Sequence, residues 1–110
     1  MEDLTTMRCR PCAAGTPPLS AGDAGRMLAQ VPGWSISRNE LERTFSFKNY
    51  YQTVSFVNAV AWIAHQEDHH PDIEFGYKAC RIRFSTHSIG GLSPNDFICA
   101  AKINGLLAAT

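Results

Sequence analysis

The sequence has no surplus of charge: ten lysine and arginine residues meet ten aspartate and glutamate residues over 110 positions. That balance argues against a nucleic-acid domain, which needs a clustered basic excess to neutralise phosphates. Long hydrophobic runs are missing too. The longest, "AVAWIA" at 59–64, falls far short of the roughly 20 apolar residues a membrane-spanning helix requires. The opening "MEDLTTMRCR" brings acids early and no apolar stretch, so it does not read as a secretory leader. A cytoplasmic protein is expected, with its four cysteines (9, 12, 80 and 99) held as thiols. Cys9 and Cys12 form a C-x-x-C pair, but no second pair and no preceding strand accompany them. Redox and zinc chemistry therefore lack their usual frame, and the two read as thiols in a mobile arm.

What is present suffices for one compact domain. With 45% hydrophobic and 18% charged residues the chain has enough apolar surface to bury a modest core. Residues 1–18, rich in Pro, Gly and small side chains and without a period, read as a flexible N-terminal arm, and 19–110 as the folded domain. Ser20 is a candidate cap for a helix to about Gln30, with "PG" at 32–33 as its stop. "WSISR" and "LERTFSFK" alternate around Asn39-Glu40 as a hairpin, with Trp34, Ile36, Leu41, Phe45 and Phe47 inward. A long helix then runs from a cap at Asn49 to about His69. Its expected inner stripe is Val54, Val57, Ala61 and Ala64, with Phe56, Val60 and Ile63 alongside as a surface for a partner. Pro71 stops it, because the residue before a proline is pushed out of the α region. "IEFGY" and "CRIRFST" form a second hairpin turning near Lys78-Ala79, with Cys80, Ile82 and Phe84 on one face. Ser93, Pro94 and Asp96 form a box-like start for the last helix, where Cys99 is a small core residue like Cys80. The order α-β-β-α-β-β-α implies an α+β fold: one four-stranded antiparallel sheet with helices packed on one face.

All four histidines, His65, His69, His70 and His87, lie within "HQEDHHPDIEFGYKACRIRFSTH" at 65–87. His65 and His69 stand four apart and on a helix would share a face. His70 is turned away by about 100°, and His87 ends the last strand. Three chemistries fit this crowding. H-x-x-x-H with a distant third histidine is a permissible zinc set, but the intervening "QED" lacks the zincin arrangement. Surface imidazoles can stabilise a helix C-terminus through its dipole. Acid–base catalysis suits groups that titrate near neutrality, with Glu67, Asp68, Asp72 and Glu74 at hand to orient them.

The order of residues adds to their number. His65, His69-His70-Pro71, Tyr77, His87 and Asp96, with "PGW", "RTFSFKNYYQTVSFVNAVAWIA" and "STHSIGGLSPNDF" around them, resembles the pterin-4a-carbinolamine dehydratases from about residue 19 onward. The resemblance implies dehydration of a 4a-hydroxytetrahydropterin to quinonoid dihydropterin, recycling the cofactor of aromatic amino acid hydroxylases, with no metal or organic cofactor. It implies His69, His70 and His87 as the catalytic set, with His69 and His87 moving protons and His70 positioning the ring. It further implies substrate contacts from Asp68, Pro71, Thr86 and Asp96, with Asp96 either holding His87 or only capping. A homodimer or homotetramer is the implied assembly. The sequence departs from the family pattern at His65, where an acid is common, and at Ile73, where a large aromatic is common. The resemblance then leaves Phe75 or Tyr77 to stack on the pterin, although Tyr77 reads better as core. Two alternatives stay open: a non-catalytic dimerisation module of the same fold, and a pterin enzyme of molybdenum-cofactor metabolism.

Overall fold

The structure, a computed structural model, describes residues 3–108. Helix α1 (Ala21–Leu28) is capped by Ser20, whose side chain accepts from the Asp23 N–H. Strands β1 (Ser35–Ser37) and β2 (Glu40–Ser46) follow, then helix α2 (Tyr50–Glu67), strands β3 (Asp72–Phe75) and β4 (Ala79–Phe84), and helix α3 (Pro94–Ala108). The four strands form one antiparallel sheet in the order β1-β2-β4-β3. The expected order and fold class are both present.

The turn between β1 and β2 lies on Arg38 and Asn39, one residue earlier than the sequence suggests. Both have positive φ (52° and 63°), which suits the right-handed twist of the strands they join. Pairing of β2 with β4 sets Leu41 opposite Phe84 and Phe45 opposite Cys80. These four and Ile82 are at most 3% exposed and form the inner face, against which α2 and α3 pack. Each such aliphatic or aromatic side chain contributes about 1.5–3 kcal/mol by leaving water. The outer face carries charge, with Arg81 paired to Glu42 and Arg83 to Glu74.

Helix α2 is rotated from the expected phase. It buries Thr53, Phe56, Val60, Ile63, Ala64 and Glu67, while Val54 and Val57 are half-buried and Ala61 is exposed. The bulkier side chains win the inner position. Phe56 packs with Phe45 and Phe47 at ring separations of 4.7 and 4.9 Å, so Phe56, Val60 and Ile63 are core rather than a partner surface. Ile36 and Tyr77 are also exposed, because β1 and the 76–78 turn lie at the margins of the sheet.

The N-terminal residues, expected as a flexible arm, make contacts with the domain. Leu4 is 2% exposed in the core, and its N–H donates to the Gln30 side chain. Arg8 and Cys9 then reach the buried carboxylate of Glu67, and Arg10 pairs with Asn95 on α3. No period announced this, because isolated residues rather than a repeating face make the contacts.

Candidate active site

The site begins where α2 ends. Asp68 adopts the left-handed conformation (φ 51°, ψ 43°), and its N–H closes the helix on the carbonyls of Ala64 and His65. The His69 N–H also returns to the Ala64 carbonyl at 3.2 Å, so the chain reverses within two residues. His69 therefore lies outside the helix and does not share a face with His65. The His65 ring instead stands 5.7 Å from that of Trp62 on the exposed side of α2.

Reversal turns His69 inward. Its ring stacks on Phe84 at 5.7 Å and 7°, and Nε2 lies 2.6 Å from Asp96 Oδ1. Asp96, in the first turn of α3, is 0% exposed. Its other oxygen, Oδ2, accepts from the Thr86 hydroxyl and from the Ser93 N–H, both at 2.9 Å. The Ser93 bond closes the capping box expected from the sequence, and a 2.8 Å contact joins the Thr86 and Ser93 hydroxyls. Thr86 is fixed in turn by its N–H to the Gly91 carbonyl (2.9 Å), across a loop that turns on Gly90 at φ 69°. A carboxylate can only accept, so Nε2 carries the proton of the 2.6 Å bond. Nδ1 of the 12% exposed side chain, which no described residue engages, is left for a ligand.

His69 lines a cavity of about 330 Å³, together with Asp68, Thr86, Ser88, Asn95 and residues 9–12 of the arm. Three larger hollows, of about 390, 640 and 670 Å³, bring no imidazole or carboxylate to their walls. Of the residues expected at the site, the structure joins His69, Thr86 and Asp96 in one network and sets Asp68 on the same cavity. Asp96 holds His69 rather than His87. His87 opens a short 3-10 turn, is exposed, and lines a separate hollow of about 290 Å³ with Arg38, Asn39 and Glu40. Its sequence neighbours Thr86 and Ser88 both face the His69 cavity. His70 is exposed and Pro71 half-buried. Ser93, Asn95 and Phe84 were not singled out as site residues; the capping signal at 93–96 pointed toward the first two, and the alternation of β4 placed Phe84 only as core.

Glu67 has a different task from the one its place in the histidine segment suggested. It receives the Cys9 N–H at 2.8 Å and pairs with Arg8 (3.0 Å) and Lys102 (3.4 Å). Burial is the strongest single influence and opposes its charge. The Cys9 N–H, Lys102 and Arg8 together outweigh it and hold the carboxyl below its ordinary value. Burial pushes the Cys80 thiol up to about 11. The contact with Cys9 Sγ at 3.6 Å, with burial behind it, raises Cys99 further. Among the described residues no group of three or more His, Cys, Asp or Glu side chains is arranged to hold a metal ion. No described helix is long and apolar enough to cross a membrane.

Fold and site together describe a small α+β domain with a histidine at a helix end, held by an aspartate at the start of the last helix. The chain belongs to the pterin 4 alpha carbinolamine dehydratase family, whose model matches residues 17–106. It is 58% identical over 106 residues to a protein of Nitrosomonas eutropha named provisionally as such a dehydratase, covering 96% of this chain and 94% of that one. A similarly named Legionella pneumophila protein is 46% identical, with 96% of each chain covered. Both alignments thus run into the arm, which the family model leaves out. Among solved structures, a transcriptional coactivator/pterin dehydratase from Brucella melitensis superposes with a TM-score of 0.78 at 27% identity, over 81% of this chain and 97% of that one. A pterin dehydratase-like RuBisCO assembly factor of the alpha-carboxysome shares the fold at 24% identity (TM-score 0.56, 66% and 84% covered).

Proposed function

We propose that the protein dehydrates a 4a-hydroxytetrahydropterin to quinonoid dihydropterin by histidine acid–base catalysis. The observation that carries this reading is the 2.6 Å bond between His69 and the buried Asp96, which fixes the ring and leaves Nδ1 without a described partner on a side chain that lines the cavity. Loss of water needs a proton delivered to the departing 4a-hydroxyl and another removed from N5, so no net proton is consumed. His69 takes one transfer; His87, which lines a separate hollow here, takes the other by swinging past Thr86 toward the substrate, and His70 positions the ring. The Asp96 carboxylate balances the positive charge that His69 gains on taking a proton. Asp68, Pro71 and Thr86 are proposed to shape the site around the substrate. The enzyme would act without a metal or organic cofactor, in the cytoplasm, as a homodimer or homotetramer serving an aromatic amino acid hydroxylase.

Stopped-flow dehydration of synthetic 4a-hydroxytetrahydropterin tests this, with the spontaneous rate subtracted. His69→Ala and His87→Ala should each lower kcat by about 10²–10⁴, the usual worth of a positioned acid or base. His70→Ala should act mainly on KM. Undiminished turnover in both of the first two would remove the catalytic assignment. A second reading, as a protein-binding module, is favoured by one feature: Tyr51 and Trp62 on α2 are 80% and 60% exposed. Inactivity of the folded wild-type protein toward carbinolamines would shift the weight to it.

A further inference from the structure

The substrate cavity is not built by the family's common core alone. Four of its ten lining residues, Cys9, Arg10, Pro11 and Cys12, come from the arm that precedes the family match. Two of the arm's fastenings adjoin the His69–Asp96 pair. At one, Glu67, two residues before His69, accepts the Cys9 N–H at 2.8 Å. At the other, Asn95, next to Asp96, accepts the Arg10 N–H at 3.0 Å and donates to the Arg10 carbonyl at 2.6 Å. An amide bonded to both main-chain groups of one residue acts as a strand partner would: it fixes position and orientation together. Asn95 is 8% exposed, so these bonds are shielded from water. Ser88, beyond Thr86, adds a 3.4 Å contact to the Cys12 carbonyl from the opposite wall. Residues 9–12 therefore span the mouth between α3 and the 86–88 segment.

We propose that this arm is a wall of the substrate site and a size filter, with Asn95 as the positioning residue that sets its distance from His69. This rests on the pterin reading for its substrate and on geometry for its form. A cavity of about 330 Å³ stands at the lower end of the range of roughly 300–1,000 Å³ that small-molecule sites occupy. It admits a bicyclic pterin with a short substituent. A long aryl-amide tail on the same ring meets residues 9–12. The substrate class is thus the compact pterins, not the folate-like ones.

The test compares the full-length protein, Asn95→Ala and a chain beginning at Gly15, each held well below its measured melting temperature. Substrates are 4a-hydroxytetrahydropterins with a short hydroxyalkyl chain or a long aryl-amide tail. Wild type should favour the compact substrate in kcat/KM by about tenfold or more, the scale on which a hydrophobic or steric pocket discriminates. Both loosened variants should lose most of that preference, through KM for the long substrate rather than through kcat. A general loss of stability would lower rates on both substrates alike and would not change their ratio. Unchanged discrimination in both variants overturns the proposal.

A second readout separates this proposal from the activity itself. Carbethoxylation of His69 is followed by peptide mass spectrometry, with exposed His65 as the internal reference in every variant. Releasing the arm should raise the His69 rate relative to His65 severalfold. If no protein turns over carbinolamine but that ratio rises, the dehydratase reading fails and the arm still covers His69. An unchanged ratio in both variants means the arm does not wall the site, whatever the activity.

Discussion

Replacing Asp96 by Asn tests the site at its most constrained atom pair. The wild-type carboxylate receives three donors: His69 Nε2 at 2.6 Å on one oxygen, and the Thr86 hydroxyl and Ser93 N–H at 2.9 Å on the other. An amide of the same shape keeps only one acceptor oxygen. If that oxygen faces Ser93 and Thr86, the amide NH₂ faces His69, so Nε2 must become an acceptor and the ring proton moves to Nδ1. His69 then offers the cavity an N–H where it had a lone pair, and it can no longer take a proton from N5. If the oxygen faces His69 instead, the NH₂ opposes the Ser93 N–H in a fully buried site. That costs about 1–3 kcal/mol for an unsatisfied donor, so the first orientation is expected. A wrong-tautomer exchange of this kind cost about 10⁴ in kcat in a catalytic triad, and a fall of about 10²–10⁴ is expected here. Stopped-flow rates give the fall, and ¹⁵N shifts of the His69 ring show which nitrogen carries the proton. Thermal melts establish that the variant remains folded. A folded Asp96→Asn protein with Nδ1 protonated and kcat intact would refute the argument, because no base at Nδ1 would then be needed.

Glu67 makes stability depend on pH in a stated direction. Its folded value lies below its ordinary 4.5, so the unfolded chain binds the proton more readily and the stabilisation is complete above that pH. It is lost as pH falls through 4.5 toward the folded value. Melting curves of wild type should drop more steeply across that window than those of Glu67→Gln, and parallel curves would disprove the linkage. At neutral pH the same variant should be less stable by about 1–3 kcal/mol, because the Cys9 N–H and Lys102 lose a buried charged partner. Thiol alkylation at pH 8 with mass-spectrometric readout should modify half-exposed Cys12 first and leave Cys80, buried and raised to about 11, untouched until unfolding. Early labelling of Cys80 would contradict its packing.

Local signals carried the fold well, because each is a short-range rule that tertiary contacts did not oppose. Ser20, Asn49 and the Ser93–Asp96 box all cap as their side chains suggest. The alternation of Cys80, Ile82 and Phe84 placed the inner face of β4, and all three are at most 1% exposed. Failures came where sequence offered two adjacent choices or no period at all. Helix α2 holds apolar residues around most of its circumference, so its inner face was decided by the fit of Phe56 against Phe45 and Phe47 on the preceding strand and its end, contacts beyond any helical period. Tyr77 counted as core by its type, yet it lies in the turn after β3 and stacks on Tyr50 at the surface. The arm was illegible because its anchors are single residues, Leu4, Cys9 and Arg10, whose partners lie elsewhere in the chain.

The site was legible as a set of residue types, and not as a geometry, for a reason that Asp68 isolates. Spacing counts positions along a continuing helix, so it set His69 beside His65. One residue at φ 51° cancels that count and redirects His69 toward Asp96. Asp68 was expected to act through its carboxylate; its backbone offers a second explanation, and three substitutions separate the two. Glycine adopts the left-handed region freely, asparagine tolerates it, and alanine pays roughly 1–2 kcal/mol there. If conformation is what matters, Asp68→Gly and Asp68→Asn should keep kcat within about twofold of wild type. Asp68→Ala should then lower the melting temperature, with 1 kcal/mol worth roughly 4–8 °C in a domain of this size. If the carboxylate orients substrate or a proton, all three variants lose kcat alike, because none retains the charge, while Asp68→Gly and Asp68→Asn keep their melting temperatures. Equal loss of kcat in Gly, Asn and Ala would therefore return Asp68 to the role its position in the family signature implied.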